Sequence, residues 1–186
     1  MAKPKVILVG GGARSGKSAH ALALARALGV RRTFVATARR YDDDLSARID
    51  RHVRDRGPDF VTVEEPVELP ARLAGLGSTD VALVDCLTLW VSNLLMDGAD
   101  DAAVEARFEA LCGVLAAPPC HVVLVTNEVG MGIHPETPLG RRFRDLVGRG
   151  HQRVAAVADE VHFAVMGLVL RLSPGPVTAL APAVAR

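Results

Sequence analysis

Cysteine is scarce in this chain of 186 residues, lysine is nearly absent, and no charge sign dominates. Cys86, Cys112 and Cys120 are odd in number and lack a C-x-x-C spacing. They supply neither a disulfide frame nor a zinc site, and they fit a reducing, cytoplasmic setting. The formal net charge is +1, with Asp42-Asp43-Asp44 offsetting Arg31-Arg32, Arg39-Arg40 and Arg141-Arg142. That balance leaves no basic field for nucleic acid. No apolar run reaches membrane-spanning length, and Met1 to Lys5 is too short for a signal n-region. His20, His121, His134, His151 and His162 show no metal-ligand spacing, and no internal repeat is visible. With 49% hydrophobic residues, the length fits one domain with a substantial core. The expected division is a single domain over 1–172 and a Pro/Ala-rich tail over 173–186.

The lysines are Lys3, Lys5 and Lys17, and every other basic residue is arginine. The one internal lysine stands in Gly11-Gly12-Ala13-Arg14-Ser15-Gly16-Lys17-Ser18, which fits G-x-x-x-x-G-K-[ST] at every fixed position. An apolar run, Val6 to Val9, precedes it, and an alanine-rich helical stretch, Ala19 to Leu28, follows. Glycines let backbone N–H groups approach phosphate oxygens without a Cβ in the way, and the following helix presents its positive end to the same anion. Lys17 is placed for the β- and γ-phosphates, and the Ser18 hydroxyl for Mg²⁺. The pattern predicts nucleotide binding. A GTPase-like switch is disfavoured, because N-K-x-D is absent and no Asn-Lys pair occurs anywhere.

Strands are expected near Lys5–Val9, Thr33–Thr37, Phe60–Val63, Val81–Asp85 and His121–Thr126, with a final strand or hairpin over Val161–Leu172. Helices are expected over Lys17–Leu28 (closed by Gly29 at C′), Leu45–Arg56, Pro66–Leu76, Leu87–Met96, Asp101–Leu115 and Leu139–Ala158. This alternation predicts an α/β protein of the P-loop NTPase, RecA-like type, its central sheet mainly parallel and flanked by helices. Ligands in such sheets sit beyond the carboxyl ends of the strands. Asp85 ends a hydrophobic strand there, either as the second acidic partner of a magnesium site or as the N-cap of the next helix. His52 aligns with Arg48 and Arg56 at i−4 and i+4, as a phosphorus nucleophile between guanidiniums or as a surface histidine. Asn127 to Gly132 follows a core strand, as a substrate loop or a plain connection. Arg141-Arg142-Phe143-Arg144 either complements phosphate or opens a solvated helix.

As a whole, the chain closely resembles the bifunctional adenosylcobinamide kinase / adenosylcobinamide-phosphate guanylyltransferase family. The motifs that carry the resemblance are GGARSGKS at Gly11–Ser18, ARIDRH at Ala47–His52 and TVEEP at Thr62–Pro66. They continue as VDCLTLWVSNLL at Val84–Leu95, VTNEVGMGIHPE at Val125–Glu136 and RRFRDLVGRGHQRVA at Arg141–Ala155. The resemblance implies phosphorylation of adenosylcobinamide by ATP or GTP, then transfer of GMP from GTP, with Mg²⁺ as cofactor. It implies that His52 carries the GMP covalently and that Lys17 acts in catalysis. Nucleotide contacts carry over to Gly11–Ser18, to Ala36, Thr37 and Ala38, to Val53, Arg54, Asp55 and Arg56, and to Glu64 and Asp85. A homotrimer with sites between subunits is implied as well. Two departures stand out: His151 replaces a frequent Asn, and Asp85 a Glu of some members.

Overall fold

Val6 and Leu8 pack on one face of the first strand and Ile7 and Val9 on the other, all of them buried. A strand apolar at every position must lie in the middle of a sheet covered on both sides. The computed structural model, which describes residues 3–39, 53, 54 and 56–175, has that arrangement. Strands β1 (Val6–Gly11), β2 (Arg32–Ala36), β3 (Phe60–Glu64), β4 (Val81–Asp85), β5 (His121–Val125), β6 (Glu160–Val165) and β7 (Leu168–Ser173) form one sheet. Their order is β3-β2-β4-β5-β1-β6-β7. Every pairing is parallel except the β6–β7 hairpin.

Helix α1 (Lys17–Leu28) covers the face that carries Ile7, Val9, Phe34, Leu83 and Val125. The opposite face carries α2 (Leu69–Ala74), α3 (Leu87–Met96), α4 (Asp101–Ala116) and α5 (Pro138–Val157). Trp90 of α3 anchors that larger core. It meets Phe108 edge-on, with ring centroids 5.2 Å apart, and donates its indole N–H to Val67 O at 2.7 Å. Asp100 caps α4 through Ala103 N, and Thr137 caps α5 through Gly140 N. Both are short polar side chains that accept from an otherwise orphaned N–H.

Outside the Leu45–Arg56 stretch the expected elements are present, with two corrections. Gly29 ends α1 in an extended conformation, with no left-handed cap, because the chain runs straight on past Asp80, whose Cβ occupies the space a side chain would need. The short helix or turn expected over Pro66–Leu76 is a helix confined to Leu69–Ala74, since Glu65 turns the preceding segment by accepting from Val67 N and Glu68 N. Most of the helix expected over Leu45–Arg56 lies outside the described residues, although 53, 54 and 56 are helical. Val53 is exposed there.

Candidate functional site

Topology fixes where the site lies. Five strands run parallel from β3 to β1, so their carboxyl ends share one edge. The register sets Glu64, Ala36, Asp85, Val125 and Val9 in a single row across it. The phosphate-type loop leaves β1 two residues beyond that row and returns as α1. Gly16, the residue before the helix, has φ +96°, a left-handed conformation that a Cβ would strain. No side chain caps α1, so its first N–H groups face the loop. Gly11 passes so close to Ala164 O that a side chain there would clash.

Lys17 is buried within this loop and donates to Gly12 O at 3.1 Å. Ser18 and Asp85, separated by sixty-odd residues in sequence, line one cavity of about 270 Å³ together with Arg26 and Phe34. The N-cap of α3 is Cys86, not Asp85, so the capping alternative for Asp85 falls away. A hydroxyl and a carboxylate are hard oxygen donors, the set that Mg²⁺ takes beside nucleotide phosphates. Among the described residues no group of three or more His, Cys, Asp or Glu side chains could cage a metal by itself.

The residues after β2 are pinned from beneath. Thr37 is fully buried, its Oγ1 donates to Cys86 O at 2.7 Å, and Cys86 N donates back at 2.8 Å. Asn93, on α3, donates from one amide nitrogen to Thr37 O at 2.7 Å and Pro66 O at 2.9 Å. One side chain thus fixes both the Ala36–Ala38 turn and the Glu64–Pro66 turn at the site's edge. Burial and the neighbouring Asp85 carboxylate push the Cys86 thiol up to about 11, which keeps it neutral and unreactive.

Arg56, expected in line with His52, packs against the sheet, while His52 itself lies outside the described residues. Its guanidinium is buried, stacked 3.9 Å from the Phe34 ring centroid, and donates to Thr62 Oγ1 at 2.7 Å. Burial lowers its pKa, and Asp85 pulls it partly back. Val53 and Arg54 are exposed, as is Glu64, while His52, Asp55 and Arg48 lie outside the described residues. The Arg141–Arg144 run lies in the first turns of α5. Arg141 donates to Pro135 O and Glu136 O, Arg142 to Asp101 and Ala99 O, and Arg144 to Asp145 and His134.

Further site neighbours come from the stretch that the sequence offers as a substrate loop or a plain connection, Asn127 to Gly132, and from the residue before it. β5 lies between β1 and β4, which puts Thr126, Asn127 and Glu128 between the phosphate loop and Asp85. Thr126 Oγ1 meets His151 Nε2 at 2.5 Å, and burial lowers the pKa of that imidazole against the pull of Glu128. Asn127 donates to Thr88 Oγ1 at 3.0 Å, and Glu128 N donates to Gly11 O at 3.1 Å. The position of that stretch after a core strand points to the loop, while the pairing of Thr126 with His151 is not legible in the sequence.

No helix among the described residues is long and apolar enough to cross a membrane. In three dimensions the chain is similar to a prototypical ATPase from the type III secretion system of pathogenic bacteria. The TM-score is 0.53 at 10% identity, covering 86% of this chain and 50% of the ATPase, a likeness of fold alone. In sequence it is 41% identical over 184 residues to the bifunctional adenosylcobalamin biosynthesis protein CobU of Escherichia coli, covering 90% of this chain and 99% of the relative. The protein of the same name from Salmonella typhimurium is 42% identical over 180 residues, covering 90% and 99%. CobP of Pseudomonas aeruginosa is 39% identical over 170 residues, covering 91% and 98%. The model of the family described as "Cobinamide kinase / cobinamide phosphate guanyltransferase" matches residues 7–172. With that family's pattern running through both the phosphate loop and the strand ends around it, the chain belongs to the cobinamide kinase / cobinamide phosphate guanyltransferase family.

Proposed function

We propose that this protein phosphorylates adenosylcobinamide with ATP or GTP and then transfers GMP from GTP to the new phosphate. The products are adenosylcobinamide-GDP and pyrophosphate. The observation that carries the reading is the shared cavity of Ser18 and Asp85 beside the Lys17 loop, in a chain of this family. In the first transfer the substrate hydroxyl oxygen attacks the γ-phosphorus, and the bond to the bridging oxygen breaks. The nucleoside diphosphate then leaves. In the second, a nitrogen of His52 attacks the α-phosphorus of GTP and pyrophosphate departs. The cobinamide phosphate oxygen next attacks the same phosphorus, the P–N bond breaks, and the imidazole returns neutral.

Loop N–H groups and the Lys17 ammonium oppose the charge that grows on the departing phosphates. Mg²⁺, held by Ser18 and Asp85, supplies further charge neutralisation when bound. The remaining nucleotide contacts in this reading are Gly11 to Gly16, Ala36 to Ala38, Val53 to Arg56 and Glu64. Residues 1–172 act as one catalytic domain with 173–186 as a tail, in a cytoplasmic homotrimer. The test is to incubate the enzyme with GTP labelled at the α-phosphate. Wild type should retain label on the peptide containing His52 and release pyrophosphate, while His52→Ala should retain none and keep its kinase turnover. Equal labelling in that variant removes His52 from the mechanism, and no labelling in wild type leaves a simple kinase.

A further inference from the structure

The phosphate loop has a second flank. Opposite the Ser18/Asp85 side lies a cavity of about 540 Å³, walled by Gly12–Ser15, by Glu128 and Met131 beyond β5, and by Phe163–Met166 at the end of β6. Its floor is polar. The Ser15 side chain is 7% exposed, and its Oγ has no hydrogen-bond partner among the described residues. A buried hydroxyl left without a partner costs stability unless a ligand completes it.

The rim is apolar and mobile in chemistry. Met166 is 91% exposed and Met131 80%. Both methionines are held in place by backbone bonds. Glu128 accepts from Gly130 N and Met131 N, each at 2.8 Å, which fixes the turn that carries Met131. Gly167 N donates to Ser15 O at 3.1 Å, which docks the β6–β7 turn directly on the phosphate loop. Met166 itself has φ +53° in that turn. Asn or Gly takes such a position with little strain, and an exposed methionine there contributes nothing to folding.

A polar floor beside the phosphates, under a rim of adaptable thioethers, suits a ligand with a hydroxyl-bearing arm and a bulky apolar body. We propose that this cavity is the acceptor subsite. It takes the hydroxyl-ended side arm of the corrinoid, Ser15 Oγ bonds the arm's oxygen, and Met131 and Met166 bear on the edge of the macrocycle. This rests on the kinase reading above.

Steady-state phosphorylation of cobinamide by ATP tests it in Met166→Asn and Met131→Ser. Asn relieves the backbone strain at 166, so that variant should unfold at or above the wild-type temperature. Each variant should raise KM for cobinamide by about fivefold to tenfold, as expected for a lost methionine contact, with KM for ATP within about twofold. A rise confined to KM for ATP would assign the cavity to the nucleoside and overturn the proposal. So would two unchanged KM values, or a changed sedimentation mass in place of a changed KM, which would make the rim a subunit interface. Wild-type enzyme that phosphorylates no cobinamide is a separate outcome, and it removes the kinase reading along with the subsite.

Discussion

Single side chains set the acid limit of this protein. His20 Nε2 and His162 Nδ1 share a hydrogen bond of 3.0 Å beneath the phosphate loop, and His162 Nε2 continues to Glu160 Oε2 at 3.1 Å. Glu160 Oε1 in turn accepts from Lys5 at 3.0 Å. Burial and the neighbouring imidazole lower His20 to about 4, and burial lowers His162 as well. The unfolded rings bind protons near their ordinary value of 6.5, so below that pH the unfolded state holds more protons than the folded one. Stability is therefore complete above pH 6.5 and falls as the pH drops toward 4, by about 1.4 kcal/mol per pH unit for each proton withheld. Urea midpoints measured from pH 7.5 to 4.5 should fall in that window for wild type, and His162→Gln should flatten the fall. A wild-type curve already flat there would show that the pair does not control stability. At this scale the phosphate loop is legible in the sequence because its eight residues are contiguous. The histidine pair is not, because its partners lie 142 positions apart.

Between elements, the tightest constraint lies where α4 crosses α5. A side chain at Gly150 would meet the Phe108 ring at 2.1 Å, and that ring is buried edge-on against Trp90 with nowhere to turn. Gly150→Ala should cost about 1–3 kcal/mol by overpacking. For a domain of this size that lowers the melting temperature by roughly 3–10 °C. Calorimetry decides it, and an unchanged melting temperature would mean that the two helices slide apart freely. The outer side of the same crossing is laced by Arg149 and Arg153 to Glu105, pairs that are exposed and contribute little. In the sequence the helical periods of α4 and α5 are visible. That the glycine of one faces the phenylalanine of the other is not, since periodicity names a face and leaves its neighbour open.

For the molecule as a whole, ligand and fold are linked. A nucleotide that binds only the folded chain at a hundred times its Kd adds about 2.7 kcal/mol. That corresponds to a rise of roughly 5–11 °C in melting temperature. Scans with GTP and Mg²⁺ should show such a rise, chelation of the metal should shrink it, and Lys17→Ala should lose most of it. A full shift in that variant would place the nucleotide elsewhere than the loop. Sedimentation should give three times the 19.7 kDa chain mass if the trimer forms, and a single-chain mass would rule it out.

Local order and local chemistry were determined by the sequence. The alternation of wholly apolar strands with amphipathic helices required a parallel sheet covered on both faces, and the glycine-lysine loop required an anion at the end of β1. Both follow from residues close together along the chain, where spacing and side-chain type are the whole cause. Tertiary structure alone decided what the loop faces. The strand order brings Asp85 to Ser18 across β5, sets Thr126 to Glu128 between them, and hangs the β6–β7 turn over Ser15. It also turned Arg56 inward onto Phe34, because a guanidinium stacks on an aromatic face that no reading of a helix stripe could have supplied. Contacts of that kind depend on which strands become neighbours, and pairing across a sheet is settled only when the entire core closes.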